Sequence, residues 1–227
     1  MEIKFIGNGS AFSNTNNNAF FEINNELIMI DCSMLNMNRI KELFNFNNYN
    51  KINVFITHMH GDHISGLPTF IQYLFHIYNI VINVIVPCPI KDDVKVLLDI
   101  TGVKDNEYNL IGVESKNTNI SYLVNVIKTK HTDNLLSFGY VFNINNKICV
   151  FTGDSNTLEP FNEYVDDCDE IYIDTLYYKV GAHINWDDLK NNLPKSKKIY
   201  LMHIDNDNII DECKIYNNVE VVKLYEK

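Results

Sequence analysis

Seven residues, Thr57-His58-Met59-His60-Gly61-Asp62-His63, restrict this chain more than any other part of it. Three imidazoles and a carboxylate fall within six positions, directly behind the apolar run Ile52-Asn53-Val54-Phe55-Ile56. That run predicts a buried strand, and the strand delivers a polar loop at its end. His58 and His60 stand two apart, so in extended backbone they face the same way and can grip one ion. Gly61 is expected to let the chain turn and aim Asp62 and His63 elsewhere, so one loop can serve two ions. Any one of these histidines taken alone reads as a surface residue or a member of a hydrogen-bonded network. Together they form the imidazole and carboxylate set that zinc prefers, and without metal they would repel one another once charged.

The chain around this loop reads as one domain over residues 1–227. Its 227 residues, 46% hydrophobic, suffice for a sizeable core, and no linker, low-complexity stretch or short repeat interrupts them. A net charge of −10 opposes a broad footprint on RNA or DNA, so a long nucleic acid is not the expected partner. Met1 to Gly7 reads as a short strand running into a glycine turn, not as an export segment, and a cytoplasmic location is expected. The apolar stretch from Phe70 to Val86 is interrupted by Gln72, His76, Asn79 and Asn83, which predicts a helix and a strand and no membrane span. Cys32, Cys88, Cys149, Cys168 and Cys213 form no CxxC pair and read as small buried residues. His76, on an apolar helix, reads as a packing residue. Gly7-Asn8-Gly9-Ser10-Ala11 lacks the lysine of a phosphate loop and reads as a strand-ending turn.

Strands are expected at 2–6, 19–24, 26–31, 52–56, 80–86, 120–129, 137–143, 147–151, 169–174, 198–203 and 219–224. Helices are expected at 34–46, 66–78, 90–100 and 185–192, with residues 14–18 a loop and Asn24-Asn25 and Asn145-Asn146 tight turns. Such alternation predicts a layered α/β architecture.

With its histidines in this order the sequence resembles the metallo-β-lactamase superfamily. The HxHxDH pattern is met by His58, His60, Asp62 and His63, a later histidine by Lys130-His131-Thr132, a bridging aspartate by Phe151-Thr152-Gly153-Asp154, and a last histidine by Tyr200-Leu201-Met202-His203. The resemblance covers nearly the whole chain and implies a four-layer αββα sandwich with the metal loops along one edge. It further implies that His58, His60 and His131 hold one divalent ion, that Asp62, His63 and His203 hold another, and that Asp154 bridges them. Zinc is the first expectation, although the same ligands accept manganese or iron. A homodimer is implied as well.

Two further segments resemble the ribonuclease Z-like branch: Ser137-Phe138-Gly139-Tyr140 after Lys130-His131, and Ala182-His183-Ile184-Asn185-Trp186-Asp187-Asp188-Leu189. In that branch the histidine of the second segment reaches the reacting phosphate without binding metal. For this chain that implies His183 as proton donor to the leaving alkoxide, with Asp62 orienting or deprotonating the nucleophile beside its ligand role. On its own, His183 reads equally as a residue ahead of a helix capped by Asn185, with Asp187 and Asp188 in the first turn. Members that process tRNA with an arm in the body of the fold insert it between the third histidine and the bridging aspartate; here that interval is short. The expected function is therefore a two-metal phosphodiesterase that hydrolyses a small phosphodiester, a cyclic nucleotide, by attack of a metal-held hydroxide on phosphorus. The alternatives are a tRNA 3′-processing endonuclease and a lactone or thioester hydrolase on the same scaffold.

Overall fold

The strand-forming runs pair into two sheets in the computed structural model, which describes residues 1–116 and 119–227. The first sheet carries β1 (Lys4–Gly7), β2 (Asn18–Ile23), β3 (Glu26–Ile30), β4 (Lys51–Phe55), β5 (Ile82–Pro87) and β6 (Tyr108–Val113), in that spatial order. The second carries β7 (Leu123–Lys128), β8 (Phe138–Ile144), β9 (Lys147–Phe151), β10 (Glu170–Leu176), β12 (Lys198–Met202) and β13 (Val219–Val221), with the short β11 (Ile184–Asn185) paired to β10. Each sheet begins antiparallel and becomes parallel after its hairpins, at β3–β4 and at β9–β10. Both tight turns take two consecutive left-handed asparagines, Asn24 and Asn25 (φ 51° and 61°) and Asn145 and Asn146 (φ 52° and 63°). That is the geometry that matches strand twist in a two-residue hairpin, and asparagine tolerates it.

Parallel strands need crossovers, supplied here by α1 (Met37–Leu43), α2 (Gly61–Ile64) with α3 (Leu67–Tyr73), and α4 (Lys91–Ile100) on the first sheet. On the second they are α5 (Trp186–Lys190) and α6 (Asn208–Cys213). Alternation along the strands sorts the side chains into layers. Tyr140, Phe142, Phe151 and Tyr172 join the core between the sheets, whereas Val141, Val150, Ile171 and Ile173 pack with Trp186, Leu189 and Ile209 of the helices. Edge-on aromatic pairs cross the inner gap, among them Phe55 with Tyr140 at 5.2 Å and Phe21 with Phe142 at 5.2 Å. Each contributes about 1 kcal/mol beyond its buried area. The result is the expected helix–sheet–sheet–helix order.

Main chain stitches the two sheets at the edge where the strands end. Phe138 N donates to Thr57 O at 3.1 Å, Ser10 N to Ile204 O at 3.0 Å and Ile204 N to Asn8 O at 2.8 Å. At the other end side chains cross the gap, Asn53 Nδ2 donating to Tyr122 OH and Tyr172 OH accepting from Ile3 N, both at 3.0 Å.

Several elements depart from expectation. β6 was not foreseen, because as an edge strand it exposes Asn109 and Ile111 and shows no clean alternation. α6 was missed too, and the helix expected over 34–46 is a short 3₁₀ turn followed by α1. α3 ends at Tyr73 and runs into a wide turn to Tyr78, closed by left-handed Asn79. On that turn His76 is not a packing residue: its side chain is 59% exposed, 3.6 Å from Glu107. Cys88 is likewise exposed while the other four cysteines are buried. The 14–18 loop is shorter than expected, since Asn18 opens β2 and Asn16 and Asn17 are buried. No helix among the described residues is long and apolar enough to cross a membrane.

Candidate metal centre

Because β3, β4, β9, β10 and β12 end on the same side, their C-terminal residues meet at one edge, the usual ligand position in sheets of this kind. There stand Asp31, the Thr57–His63 loop, Asp154, Asp174 and His203, joined by His131 and His183 from neighbouring loops. Donor atoms of His58, His60, His131 and Asp154 lie within 4.8 Å of one another, and so do those of Asp62, His63 and His203.

Hydrogen bonds at the far ring nitrogens fix which lone pairs face inward. His131 Nδ1 donates to Ala182 O at 2.9 Å. Thr57 Oγ1 donates to Asp31 and so accepts from His58 Nδ1, also at 2.9 Å. A neutral imidazole has one N–H, so Nε2 of both rings carries a lone pair. These two lone pairs converge on His60 Nδ1, at 3.1 Å from His58 and 3.2 Å from His131. Tetrahedral zinc with nitrogens at about 2.0–2.1 Å has ligand separations of roughly 3.3 Å, so the three rings form a cradle of cation size.

The second cluster is built likewise. His63 Nδ1 donates to buried Asp31 at 2.7 Å, leaving Nε2 at 3.3 Å from Asp62 Oδ2 and 3.4 Å from Asp154 Oδ1. His203 Nδ1 faces Asp174 Oδ1 at 3.3 Å, and its Nε2 lies 3.4 Å from Asp62 Oδ2. His63 Nε2 and Asp154 Oδ1 are buried with no hydrogen-bond partner, which is costly unless a cation completes them. The residues present therefore fit a pair of divalent ions sharing Asp154.

Electrostatics agree with that test. Burial, with neighbouring imidazoles adding to it, pushes His58 well down, and burial pushes His60 down, so both stay neutral donors. Burial acts the same way on His63 and His203, but Asp154 with Asp31 raises the first well above its ordinary value, and Asp154 with Asp174 raises the second to about 10. Protons there stand where cations would. Asp154 is held far below the carboxylate range, burial being outweighed by His203, His63 and His58.

Asp31 and Asp174, which sequence reasoning missed, orient this shell. Asp31 sits at φ 63° after β3, takes Thr57 N at 2.8 Å, and has its own carbonyl held by Asn18 Nδ2 at 2.7 Å. Asp174 Oδ2 accepts from His183 Nδ1 at 2.6 Å and from Ser155 N at 3.0 Å. Asp31 directly follows apolar β3 and Asp174 sits near the end of apolar β10, and a carboxylate at the end of an apolar run was the available signal. The Ser137–Tyr140 run acts on the same shell: Ser137 Oγ and Thr129 Oγ1 donate to Asp154 O, and Tyr140 OH donates to Ile56 O at 2.6 Å. His183 stacks on His203 with ring centroids 4.9 Å apart, and its Nε2 has no hydrogen-bond partner among the described residues. Asn185 does cap α5, accepting from Asp187 N at 3.1 Å.

Two glycines of the site behave differently from one another. Gly61 was expected to permit the turn, yet it opens α2 with an ordinary φ, and a Cβ there would meet nothing within 4 Å. Gly153 has φ 59°, and a Cβ would fall 2.3 Å from Phe138 O. Urea unfolding should separate them. Gly61→Ala is expected to stabilise by up to about 1 kcal/mol, and Gly153→Ala to destabilise by at least about 2 kcal/mol. Equal midpoints would contradict this account of the two loops.

A family model described as "Anti-Pycsar protein Apyc1" matches residues 1–223. The chain is 34% identical over 89 residues to the Anti-Pycsar protein Apyc1 of Paenibacillus xerothermodurans, a stretch covering 38% of this chain and 35% of that one. It is 40% identical over 76 residues to the Ribonuclease Z of Methanocaldococcus jannaschii, covering 32% of this chain and 23% of that one. The matched stretches thus span a quarter to a third of these curated relatives. Among solved structures it superposes on the metallo-β-lactamase fold protein YhfI from Bacillus subtilis with a TM-score of 0.78 at 15% identity, over 99% of this chain and 96% of that one. The fold is that of the metallo-β-lactamases.

Proposed function

The chain belongs to the Anti-Pycsar protein Apyc1 family, and from that premise we propose that it is a phosphodiesterase hydrolysing a small phosphodiester, a cyclic nucleotide, with two divalent cations, zinc foremost. The observation that carries this reading is the convergence of the inward-facing nitrogens of His58, His131 and His63, each oriented by a hydrogen bond at its other nitrogen, with those of His60 and His203 and the carboxylates of Asp62 and Asp154. His58, His60 and His131 would hold one ion, Asp62, His63 and His203 the other, and Asp154 both. Bound there, the ions would activate water at neutral pH and polarise a phosphoryl oxygen.

The chain's own groups do the rest. Asp62, whose side chain is 11% exposed, orients the attacking water and accepts its proton. His183 gives a proton to the leaving alkoxide from Nε2, while Asp174 holds Nδ1. Burial alone would lower the His183 pKa; Asp174 outweighs it and raises it, so the ring keeps the proton an acid must deliver. A small substrate is favoured by the short interval from His131 to Asp154, which holds the 132–137 loop, β8, β9 and the Asn145-Asn146 turn. The net charge of −10 argues the same way.

The test is hydrolysis by zinc- or manganese-loaded protein of 2′,3′- and 3′,5′-cyclic mononucleotides, cyclic dinucleotides, a pre-tRNA, a lactone and a thioester. Cleavage of one cyclic class is the expected result. Cleavage of pre-tRNA alone would move the function to the nuclease reading that the Ribonuclease Z similarity favours, and activity only on lactone or thioester would move it to carbonyl chemistry.

A further inference from the structure

The chain has 13 tyrosines, 13 phenylalanines and one tryptophan, yet among the described residues only two of these side chains are exposed, Phe12 and Tyr178. Both adjoin the same loop, the one that follows His203. Phe12 lies in the loop after β1, which Ser10 N and Ser13 Oγ tie to Ile204 O at 3.0 and 3.1 Å. Tyr178 lies in the loop that ends at His183. Its amide donates to Asp205 Oδ2 at 3.1 Å and its hydroxyl accepts from Asn206 Nδ2 at 2.8 Å, so the ring is fixed at both ends although 58% exposed. An aromatic ring held rigid in water costs apolar exposure without gaining packing, and it is already ordered for stacking.

A cavity of about 370 Å³ opens along this loop, lined in part by Asn8, Phe12, Asn14, Asp205, Asn206 and Asp207. Its walls are rich in amides, which both donate and accept, and no lysine or arginine among the described residues lines it. Two aspartates would repel a phosphate there. The chemistry suits a neutral planar group with mixed polar edges, and Ile204 in the cavity wall directly follows His203 in the chain.

Resting on the phosphodiesterase reading above, we propose that this cavity, with Phe12 in its wall and Tyr178 hydrogen-bonded to the Asn206 that lines it, is the subsite for the nucleobase of the substrate. The aromatic rings supply sequence-tolerant stacking and the asparagine amides meet the edge of the base, so the subsite selects for a base without strongly choosing which.

The experiment compares a nucleoside 3′,5′-cyclic phosphate with the abasic ribose 3′,5′-cyclic phosphate, using metal-loaded wild type, Phe12→Ala, Tyr178→Ala and Tyr178→Phe. Loss of a stacking ring should raise KM for the nucleotide roughly tenfold or more while leaving the abasic compound unaffected, with Tyr178→Phe close to wild type. Equal effects on the two compounds, no effect in either alanine variant, or a change confined to oligomeric state would overturn the proposal. If wild type cleaves neither compound, the hydrolase reading falls separately, and calorimetric titration with adenosine monophosphate decides the subsite. Weaker binding by the alanine variants retains it, and equal binding removes it.

Discussion

Replacing Asp154 with alanine is expected to strip bound metal from the protein and lower kcat/KM by about 10³-fold or more, beyond the 10–100-fold typical of losing a partner behind a metal ligand. The expectation follows from what its carboxylate does. Oδ2 lies 3.6 Å from Nε2 of both His58 and His131 and 3.7 Å from that of His203, while Oδ1 faces His63 at 3.4 Å. It is 1% exposed, belongs to the cluster of His58, His60 and His131, and reaches His63 and His203 of the other. Without it the cradle keeps its imidazoles but loses the negative charge that, in the proposed site, would balance two adjacent cations. Metal content by mass spectrometry after dialysis, circular dichroism and activity should be read together. A folded Asp154→Ala protein retaining two equivalents of metal would remove the bridging role.

His183→Ala should behave in the opposite way, keeping its metal and losing about 10²–10⁴-fold in kcat. The defect should depend on the leaving group. A sugar alkoxide needs a proton and p-nitrophenolate does not, so the variant should be nearly as fast as wild type on bis-p-nitrophenyl phosphate. Asp174→Asn is expected to fall between, because Asp174 Oδ2 holds His183 Nδ1 at 2.6 Å while Oδ1 faces His203 at 3.3 Å. Combined with His183→Ala it should add less than its own full effect, as residues acting through one another do. Uniform loss on both leaving groups would show that His183 acts by shaping the site and not by giving a proton.

The residues brought to the candidate metal centre were legible in sequence to the extent that they share unusual chemistry. Three histidines and an aspartate in six positions cannot be mistaken for packing. His131, Asp154 and His203 followed only because a known pattern supplied the order, since one histidine after a strand is unremarkable alone. Asp31 and Asp174 went unseen for the same reason: an aspartate that ends a strand is common, and only the fold shows that these two stand behind His63 and His203. Strands with strong alternation or β-branched runs were found to within a few residues, whereas β6 was not, because an edge strand need not bury both faces. His76 and Cys88 were misread because composition gives the average burial of a residue type and not the face on which it lands.

The main-chain stitching at the metal edge carries a mechanical consequence. Phe138, Ser10 and Ile204 tie the sheets together by peptide groups beside the candidate ligands, Tyr225 N adds a peptide hydrogen bond to Phe5 O, and the hydroxyls of Tyr122 and Tyr172 close the gap further from that edge. The two sheets are thus bound most densely along the edge that holds the candidate ligands, so the groups proposed to hold metal are anchored by backbone of both leaves and not by side-chain packing alone.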